Sequence, residues 1–443
     1  MLDKPAARRY ALITFGCQMN RHDSERISGI LGADGWEEVQ TVEEADAVIL
    51  LTCCVRQSAE QRFYGRLSSL KPLKEMRPML IAVGGCIAQK DGGLILQKNP
   101  YVDLVFGTHQ YPEIAGLLAR AEKSMLMATD MTGLNIASVP YRHHESFRAW
   151  VTISHGCDNY CSYCIVPYVR GPEHSRPMQE VMGEVKMHVE KGVKEINLLG
   201  QNVNSYRRKE EGSSDFASLL RLLGERFPDI WIRFTTSHPR DFDSDIIRAI
   251  AETENVCEYI HLPLQAGSNA ILEAMNRGYS REEYLDKATA VKRMIKGVSL
   301  TTDIIVGFPG EEEEDFEQTM DMVEKCRFDA AFTFLYNPRR GTSACRMLDD
   351  DPPRLKQERL EALMALTRRL TRQSLEGEVG KELLVLVEGP SRKDAGRWSA
   401  RTRNNKLVHF PRKAKDISGG FAWVLITAAG NWSLRGEFLS ADK

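Results

Sequence analysis

Three cysteines crowd into eight residues, at Cys157, Cys161 and Cys164, with spacings of three and then two residues. An apolar, alternating run over 149–154 leads into them, which predicts that the loop follows a strand. Soft thiolate ligands suit iron, and three of them can hold three corners of a four-iron cluster. The fourth iron then has no protein ligand and is open to chemistry.

A structural zinc site is the alternative for this loop. Zinc prefers four closed ligands, and His155 or His174 is close enough in sequence to be the fourth. The spacing alone leaves both readings open.

The 443 residues predict two to four domains. No apolar run approaches the roughly 20 residues that a membrane helix needs. The N-terminus has no signal-peptide pattern, and the ten cysteines are not spaced as in a small secreted scaffold. We therefore expect a soluble, cytoplasmic protein with reduced thiols and no membrane partner.

Short apolar runs alternate with helical stretches in the first third of the chain. The runs cover 10–15, 47–51, 79–83 and 102–106, and the first helix is predicted over 23–35. This alternation predicts an α/β domain with a doubly wound parallel sheet, whose ligands bind at the carboxyl ends of strands. Because Cys17, Cys53 and Cys86 each follow such an end, we expect a second three-thiolate site. The alternative is that they are core residues, as we expect for Cys54, Cys257, Cys326 and Cys345.

Six further strand-like runs follow, separated by amphipathic helices predicted over 177–191, 241–253, 280–296 and 311–325. Six β/α units predict a partial (β/α)6 barrel, with its active site at the carboxyl ends of the strands. The runs cover 149–154, 194–199, 231–236, 257–262, 298–306 and 329–335.

The last third contains a basic helix, predicted over 354–375, and a β-rich tail. Between 391 and 415 there are nine Lys or Arg against one acid, Asp394, with Trp398, His409 and Phe410 interleaved. Cations for phosphates and rings for stacking favour RNA binding over a solvated face. The candidate RNA-binding residues are Arg392, Lys393, Arg397, Arg401, Arg403, Lys406, Arg412 and Lys413.

Several longer motifs resemble one family. The cysteine loop resembles that of the radical S-adenosylmethionine (SAM) superfamily. The segments Gly16-Cys17-Gln18-Met19-Asn20, Thr52-Cys53 with Val55-Arg56, and Gly85-Cys86-Ile87-Ala88-Gln89 resemble the N-terminal domain of its methylthiotransferases. Segment 385–391 and the basic residues after it resemble the TRAM domain, a small RNA-binding β-barrel. Leu51 and Pro172 depart from the family pattern, which usually has Asn and Arg there.

The resemblance implies three domains, over 8–125, 143–375 and 377–441. It implies two [4Fe–4S] clusters, one on Cys17, Cys53 and Cys86 and one on Cys157, Cys161 and Cys164. SAM would bind the open iron of the second cluster, where reduction splits it to methionine and a 5′-deoxyadenosyl radical. The residues assigned to the SAM neighbourhood by resemblance are Gly200, Gln201, Ser237, Gln265, Thr302 and Asp303.

The motif Cys-Gln-Met-Asn resembles the tRNA-modifying branch of the family. That branch implies tRNA carrying N6-isopentenyladenosine as the substrate, methylthiolated at carbon 2 of the base. It also implies an electron donor such as flavodoxin or ferredoxin, a supplier of sulfur or clusters, and a monomeric enzyme. The alternatives are the branch that modifies a ribosomal-protein aspartate, and a non-catalytic RNA-binding protein with zinc or closed clusters.

Overall fold

The computed structural model describes residues 7–54, 57–131, 140–142, 145–208, 214–349, 351–412 and 416–442. Val55, Arg56, Lys413 and residues 132–139, between the first two predicted domains, lie outside these residues. The chain folds into two compact units. The first comprises Met1–His144, His155–Asp158 and Ile165–Glu173, and the second comprises Glu145–Ser154, Asn159–Cys164 and His174–Lys443.

The first unit is built on one six-stranded parallel sheet. Its strands are β1 Arg9–Thr14, β2 Glu37–Glu38, β3 Ala47–Thr52, β4 Leu80–Gly85, β5 Leu104–Phe106 and β6 Leu126–Ala128. Its helices are α1 Gln18–Ala33, α2 Gln57–Met76, α3 Cys86–Lys98 and α4 Ile114–Ala121. The order β2-β1-β3-β4-β5-β6 reverses direction beside β1, which confirms the predicted doubly wound sheet.

The central strand β3 accounts for the apolar run over 47–51 in the sequence. All six of its residues are buried, because β1 and β4 flank it and helices cover both faces. Two apolar cores result, one containing Phe63 and Leu67 of α2, the other Ile27 of α1 and Leu118 of α4. Helix α1 starts five residues before the predicted position, because its first turns bury polar residues and lack the apolar repeat.

The second unit begins with six parallel strands in two sheets of three, β7-β10-β13 and β14-β15-β16. Backbone hydrogen bonds join the sheets, from Ile232 N to Asn255 O and from Cys257 N to Ile232 O, both 2.9 Å. Four short strands, β8, β9, β11 and β12, lie outside these two sheets. All ten, in chain order, are β7 Arg148–Thr152, β8 Ser154–His155, β9 His174–Ser175, β10 Glu195–Leu199, β11 Arg207–Arg208, β12 Ser214–Asp215, β13 Trp231–Phe234, β14 Tyr259–His261, β15 Ser299–Val306 and β16 Ala330–Leu335. This arrangement confirms the predicted partial barrel.

Helices follow the barrel strands as predicted, with an additional short helix, α9, after β14. They are α5 Val166–Arg170, which belongs to the first unit, and α6 Met178–Glu190, α7 Phe216–Arg226, α8 Ser244–Glu252, α9 Asn269–Ala274, α10 Arg281–Met294, α11 Glu313–Cys326 and α12 Pro353–Glu376. None of the helices within the described residues has the length and apolarity that crossing a bilayer requires.

The C-terminal strands close into a barrel in the order β17-β18-β19-β21-β20. Trp398, Phe410 and Val424 fill its core. The strands are β17 Glu382–Pro390, β18 Arg397–Thr402, β19 Leu407–Pro411, β20 Phe421–Ala429 and β21 Leu434–Ala441. Closure removes the exposed edges that a five-stranded sheet would otherwise present.

This small barrel packs against the beginnings of the large barrel's strands. Arg148, at the start of β7, pairs with Glu388 at 2.9 Å, and the ring of Trp231, at the start of β13, lies 4.7 Å from that of Phe421. Arg233 donates to the carbonyl of Thr402 at 2.8 Å. The small barrel therefore sits at the end of the large barrel opposite to the carboxyl ends of the strands.

Candidate iron–sulfur and cofactor-binding sites

In the first unit, Asn20 and Thr52 tie together the loops that carry the three cysteines. The side-chain amide of Asn20 donates to the carbonyls of Phe15 and Thr52, at 2.6 and 2.9 Å. The Thr52 hydroxyl donates to Gly84 O and accepts from the amide of Ile87, at 2.7 and 3.0 Å. The ends of β1 and β3 and the start of α3 are thus held together by hydrogen bonds.

Two glycines allow the loops to approach this closely. A Cβ on Gly16 would lie 2.1 Å from the Cβ of Cys53 and 2.6 Å from its Sγ. A Cβ on Gly85 would lie 2.5 Å from the carbonyl oxygen of Thr52. Both glycines have a positive φ, of +107° and +93°, which other residues rarely adopt.

The structure brings the three predicted thiols of the first unit into one neighbourhood. Cys17 caps the N-terminus of α1 and Cys86 is the first residue of α3, where the helix dipole favours anions. The hydrogen bond to Cys53 is the main cause that raises the pKa of Cys17. A hydrogen bond with Cys54 and the Arg170 guanidinium together outweigh burial and lower the pKa of Cys86 to about 6. Cys54 is buried, as expected, but it also forms the hydrogen bond with Cys86.

Arg170 and Asp23 form a buried ion pair beside these thiols. The distance from Nη2 to Oδ2 is 3.1 Å, and both side chains are less than 10% exposed. Burial opposes ionisation of Asp23, but Arg170 lowers the pKa of its carboxyl below the ordinary value. Sequence reasoning missed this pair, because Arg170 lies 147 residues from Asp23 along the chain.

The thiols do not converge on one point. Within the described part of the chain, no three His, Cys, Asp or Glu side chains are placed to hold a single metal ion. A four-iron cluster presents a separate iron to each thiolate, so its ligands surround a larger volume than one ion does.

Along the loop that carries the other three cysteines, Cys157 is assigned to the first unit, and Cys161 and Cys164 to the second. In the first unit, the amide of Cys157 donates to Gly171 O at 3.2 Å. In the second, the amide of Cys164 donates to Cys161 O at 2.9 Å. All three follow the end of β7, as predicted from the sequence.

Arg277 contacts this loop and was also missed from the sequence. Its Nη1 lies 3.2 Å from the sulfur of Cys161 and 3.2 Å from the hydroxyl of Tyr163. His238 Nε2 lies 3.9 Å from the same sulfur. Burial, together with the nearby charge of Arg277, lowers the pKa of His238 to about 2. The only sequence signal for Arg277 is an arginine inside an Asn-Arg-Gly-Tyr turn, which has no metal-ligand spacing.

Most residues assigned to SAM lie at the carboxyl ends of β10, β13 and β14. Gln201 Oε1, Ser237 Oγ and Gln265 Oε1 are buried and have no hydrogen-bond partner among the residues that the structure describes. Ser154 Oγ is also buried without a hydrogen-bond partner among the described residues. It lies close to Gly200, where an added Cβ would be 2.5 Å from it. Buried polar atoms are normally satisfied, so this set of oxygen atoms fits a polar ligand.

The other two assigned residues lie on β15 and already have partners. The buried Thr302 hydroxyl accepts from Leu264 N at 2.8 Å and donates to Leu262 O at 3.0 Å, so it supports the loop after β14. Asp303 Oδ2 lies 3.3 Å from His261 Nε2.

The candidate RNA-binding cations fall into two groups. Arg403 binds Glu258 at 2.7 Å and Lys406 binds Glu378 at 2.7 Å, so both fasten the small barrel to the rest of the second unit. The others lie on the small barrel itself: Arg392 and Lys393 are exposed, Arg397 pairs with Asp394, Arg401 with Glu388, and Arg412 covers the ring of Trp398.

The expectation that Cys345 is a core thiol is wrong. Its side chain is exposed on a short 3-10 helix, Ala344–Arg346, after β16, whereas Cys257 and Cys326 are buried.

Three family models match the chain in succession. They are Uncharacterized protein family UPF0004 over residues 9–107, the Radical SAM superfamily over 151–323, and the TRAM domain over 376–439. Among solved structures, the radical SAM methyltransferase TsrM from Kitasatospora setae is similar, with a TM-score of 0.58 at 12% identity over 76% of this chain and 74% of that one. The cobalamin-dependent radical SAM enzyme OxsB has a TM-score of 0.52, also at 12% identity, over 82% of this chain and 56% of that one. These two similarities show the fold.

Curated relatives match over nearly the full length. The tRNA-2-methylthio-N(6)-dimethylallyladenosine synthase of Moorella thermoacetica is 46% identical over 440 residues, which are 98% of this chain and 99% of that protein. The enzyme of the same name from Acetivibrio thermocellus is 45% identical over 97% of this chain and 91% of that protein. The chain therefore belongs to the family of tRNA-2-methylthio-N(6)-dimethylallyladenosine synthases within the radical SAM superfamily.

Proposed function

We propose that the chain is a tRNA methylthiotransferase that adds a methylthio group to carbon 2 of N6-isopentenyladenosine, next to the anticodon. The observation that carries this proposal is the presence of two separate cysteine sets at strand ends in a chain 46% identical to a curated synthase. A carbon–hydrogen bond of an adenine ring is too weakly acidic for an ordinary side-chain base. The reaction therefore requires cofactor chemistry.

The residues present fit the cofactors that the family implies, two [4Fe–4S] clusters and SAM. Cys157, Cys161 and Cys164 would hold one cluster, and Cys17, Cys53 and Cys86 the other. When bound, these groups supply one-electron chemistry and transferable sulfur, which amino-acid side chains lack. The support in the second unit is the group of buried oxygen atoms on Ser154, Gln201, Ser237 and Gln265, which have no hydrogen-bond partner in the described part of the chain.

The chain's own residues bind, orient and balance charge. Gln201, Ser237 and Gln265 would accept hydrogen bonds from the amino and hydroxyl groups of SAM, and Gly200 leaves room for its backbone to approach. Arg170 offsets negative charge beside Cys86. The exposed cations Arg392 and Lys393 would bind tRNA phosphates without reading sequence.

The proposal extends to the organisation and partners of the enzyme. The domains are 8–125 for the auxiliary cluster, 143–375 for the radical chemistry and 377–441 for RNA. A low-potential carrier such as flavodoxin or ferredoxin provides the electron, and a separate supplier restores sulfur or clusters. The enzyme acts as a monomer in the cytoplasm, where its tRNA substrate is found.

Mass spectrometry of nucleosides tests the proposal. Isopentenylated tRNA is incubated with SAM, reductant and anaerobically reconstituted protein, and the methylthio adduct is measured. We expect the adduct to disappear with Cys164→Ala and with Cys86→Ala. Cys345→Ala is the matched control, because this exposed thiol belongs to neither set and its loss should leave the yield unchanged.

Metal analysis and a second substrate separate the alternatives. About eight irons per chain, with matching sulfide, correspond to two four-iron clusters. Bound zinc without sulfide would overturn the proposal. So would a methylthio group found on a ribosomal-protein aspartate when tRNA remains unmodified.

A further inference from the structure

A three-residue segment after α9 holds the backbone of the cysteine loop. The carbonyl of Met275 accepts from the amide of Ser162 at 3.0 Å. The side-chain amide of Asn276 donates to Tyr160 O at 3.0 Å. Asn276 has a φ of +55°, a left-handed conformation that asparagine tolerates better than most residues. This turn directs the next residue, Arg277, towards the same loop.

Arg277 is buried and its guanidinium donates to four groups. Nε binds the hydroxyl of Tyr279 at 3.0 Å and Nη2 binds Pro263 O at 3.1 Å. Nη1 lies 3.2 Å from both Cys161 Sγ and the hydroxyl of Tyr163. Three of these partners are neutral oxygen atoms, and the fourth is a sulfur that becomes anionic when it binds iron.

No carboxylate of the described residues balances the charge of Arg277. Among the described residues, its hydrogen bonds go to hydroxyls, one carbonyl and the thiol, and it forms no ion pair with Asp or Glu. A buried cation is costly unless an anion lies beside it. When Cys161 binds iron as a thiolate, its sulfur supplies the negative charge that can balance Arg277.

We propose that Arg277 is a positioning residue that fixes Cys161 and raises the reduction potential of the cluster held by Cys157, Cys161 and Cys164. A cation and an N–H donor on a cluster sulfur stabilise the reduced state, which carries one more negative charge. The inference rests on the proposed function only in requiring that this loop bind a [4Fe–4S] cluster.

The potential is measured by redox titration followed by electron paramagnetic resonance. A background with Cys17→Ala, Cys53→Ala and Cys86→Ala leaves one cluster to observe. In Arg277→Gln, which lacks the charge, we expect the ratio of reduced to oxidised cluster at a fixed potential to fall about tenfold, or about 59 mV for one electron. Arg277→Lys keeps the charge but loses the planar guanidinium. Its ratio of reduced to oxidised cluster should therefore lie between those of wild type and Arg277→Gln.

Arg281→Gln is the matched control. Arg281 is a neighbouring arginine whose guanidinium pairs with Asp321 at 2.6 Å and makes no contact with Cys161. Its loss should leave the potential at the wild-type value. A wild-type potential in iron-loaded Arg277→Gln would overturn the inference.

A second measurement needs no substitution at Arg277. In the same background without Cys17, Cys53 and Cys86, protein grown with arginine labelled with 15N in the guanidinium should show a nitrogen coupling to the reduced cluster in pulsed resonance spectra. Absence of that coupling in iron-loaded protein would overturn the inference even if Arg277→Gln fails to fold. A chain that binds no iron would overturn the proposed function as well, so the two failures are distinguishable.

Discussion

At the residue scale, two buried arginines stand beside cysteine sulfurs, one in each unit, and they differ in how their charge is balanced. Arg170 pairs with Asp23 at 3.1 Å, whereas the described partners of Arg277 are neutral oxygen atoms and the sulfur of Cys161. The first unit therefore contains an ion pair that exists without iron. The charge at Arg277 is better compensated once the loop is ligated.

Asp23→Asn should destabilise the protein, because it leaves the Arg170 guanidinium buried without its carboxylate. Breaking one partner of a buried ion pair costs about 3–5 kcal/mol. Urea unfolding followed by circular dichroism measures the loss. Glu75→Gln, which removes an exposed pair with Lys71, should have no measurable effect, and an equally small effect of Asp23→Asn would contradict the prediction.

Glu311 makes stability depend on pH. Its carboxylate accepts from Gly307 N at 2.7 Å, and burial raises its pKa to about 7 from an ordinary 4.5. The neutral form is favoured in the folded state, so this contribution is fully present below pH 4.5 and is lost as pH rises through 7. Glu311→Gln cannot ionise and should gain roughly 2–4 kcal/mol relative to wild type between pH 5 and 8.

Denaturant unfolding at several pH values measures that gain. Glu314→Gln, an exposed acid in the following helical turn, should follow the wild-type curve throughout. A constant difference between Glu311→Gln and wild type across this range would contradict the prediction, because it would mean that the pKa of the Glu311 carboxyl is the same in the folded and unfolded states.

At the scale of elements, the sequence predicted those strands whose burial repeats regularly. The apolar run over 47–51 became β3, and the run over 298–306 became β15. The start of α1 was predicted too late, because Asn20 and Asp23 face inward to serve the thiol site rather than an apolar core. The cysteines themselves were predictable from their positions after strands. Arg170 and Arg277 were not, since their partners lie more than 100 residues away along the chain.

The basic tail shows the same limit for charge patterns. A run of cations in sequence does not reveal which side chains have acidic partners elsewhere, and Glu258 lies 145 residues before Arg403. The run therefore overstates the surface available to RNA. Arg403 and Lys406 hold the small barrel, whereas Arg392 and Lys393 extend into solvent.

Arg392→Ala and Arg403→Ala should separate these roles. Losing a phosphate contact weakens tRNA binding for all sequences and lowers the slope of log affinity against log salt by about 1. We expect this of Arg392→Ala, without loss of stability. Arg403→Ala should keep the slope but unfold at lower urea concentration. Filter binding at several salt concentrations checks the pair, and equal slopes for both variants would contradict the assignment.

At the scale of the second unit as a whole, the small barrel and the cysteine loop lie at opposite ends of the large barrel. Strand β15 has eight residues and spans about 26 Å. RNA bound to the small barrel must cover at least that length to place a base near the strand ends. A stem of five base pairs covers only about 17 Å, even at 3.4 Å per pair.

Full-length tRNA should therefore depend on the small barrel more than a short anticodon stem-loop does. Arg392→Ala is expected to raise KM several-fold for isopentenylated tRNA and to leave KM for the stem-loop unchanged. Steady-state kinetics on both substrates measures the difference. An equal rise for the two substrates would place Arg392 next to the anticodon arm instead.

The contact between the two barrels has a consequence for dissecting this enzyme. Glu195 lies under the small barrel, where burial opposes its ionisation but Arg233 and Arg148 lower its pKa to about 2. Arg233 also donates to Thr402 and Arg403 carbonyls, and Arg148 to Glu388. Cutting the chain after α12 would expose this end of the large barrel to water. Arg148 and Arg233 would then lose their partners on the small barrel. The small barrel thus covers buried charges of the large barrel as well as binding RNA. Lost activity in a truncated enzyme would therefore reflect destabilisation of the large barrel rather than the contribution of RNA affinity.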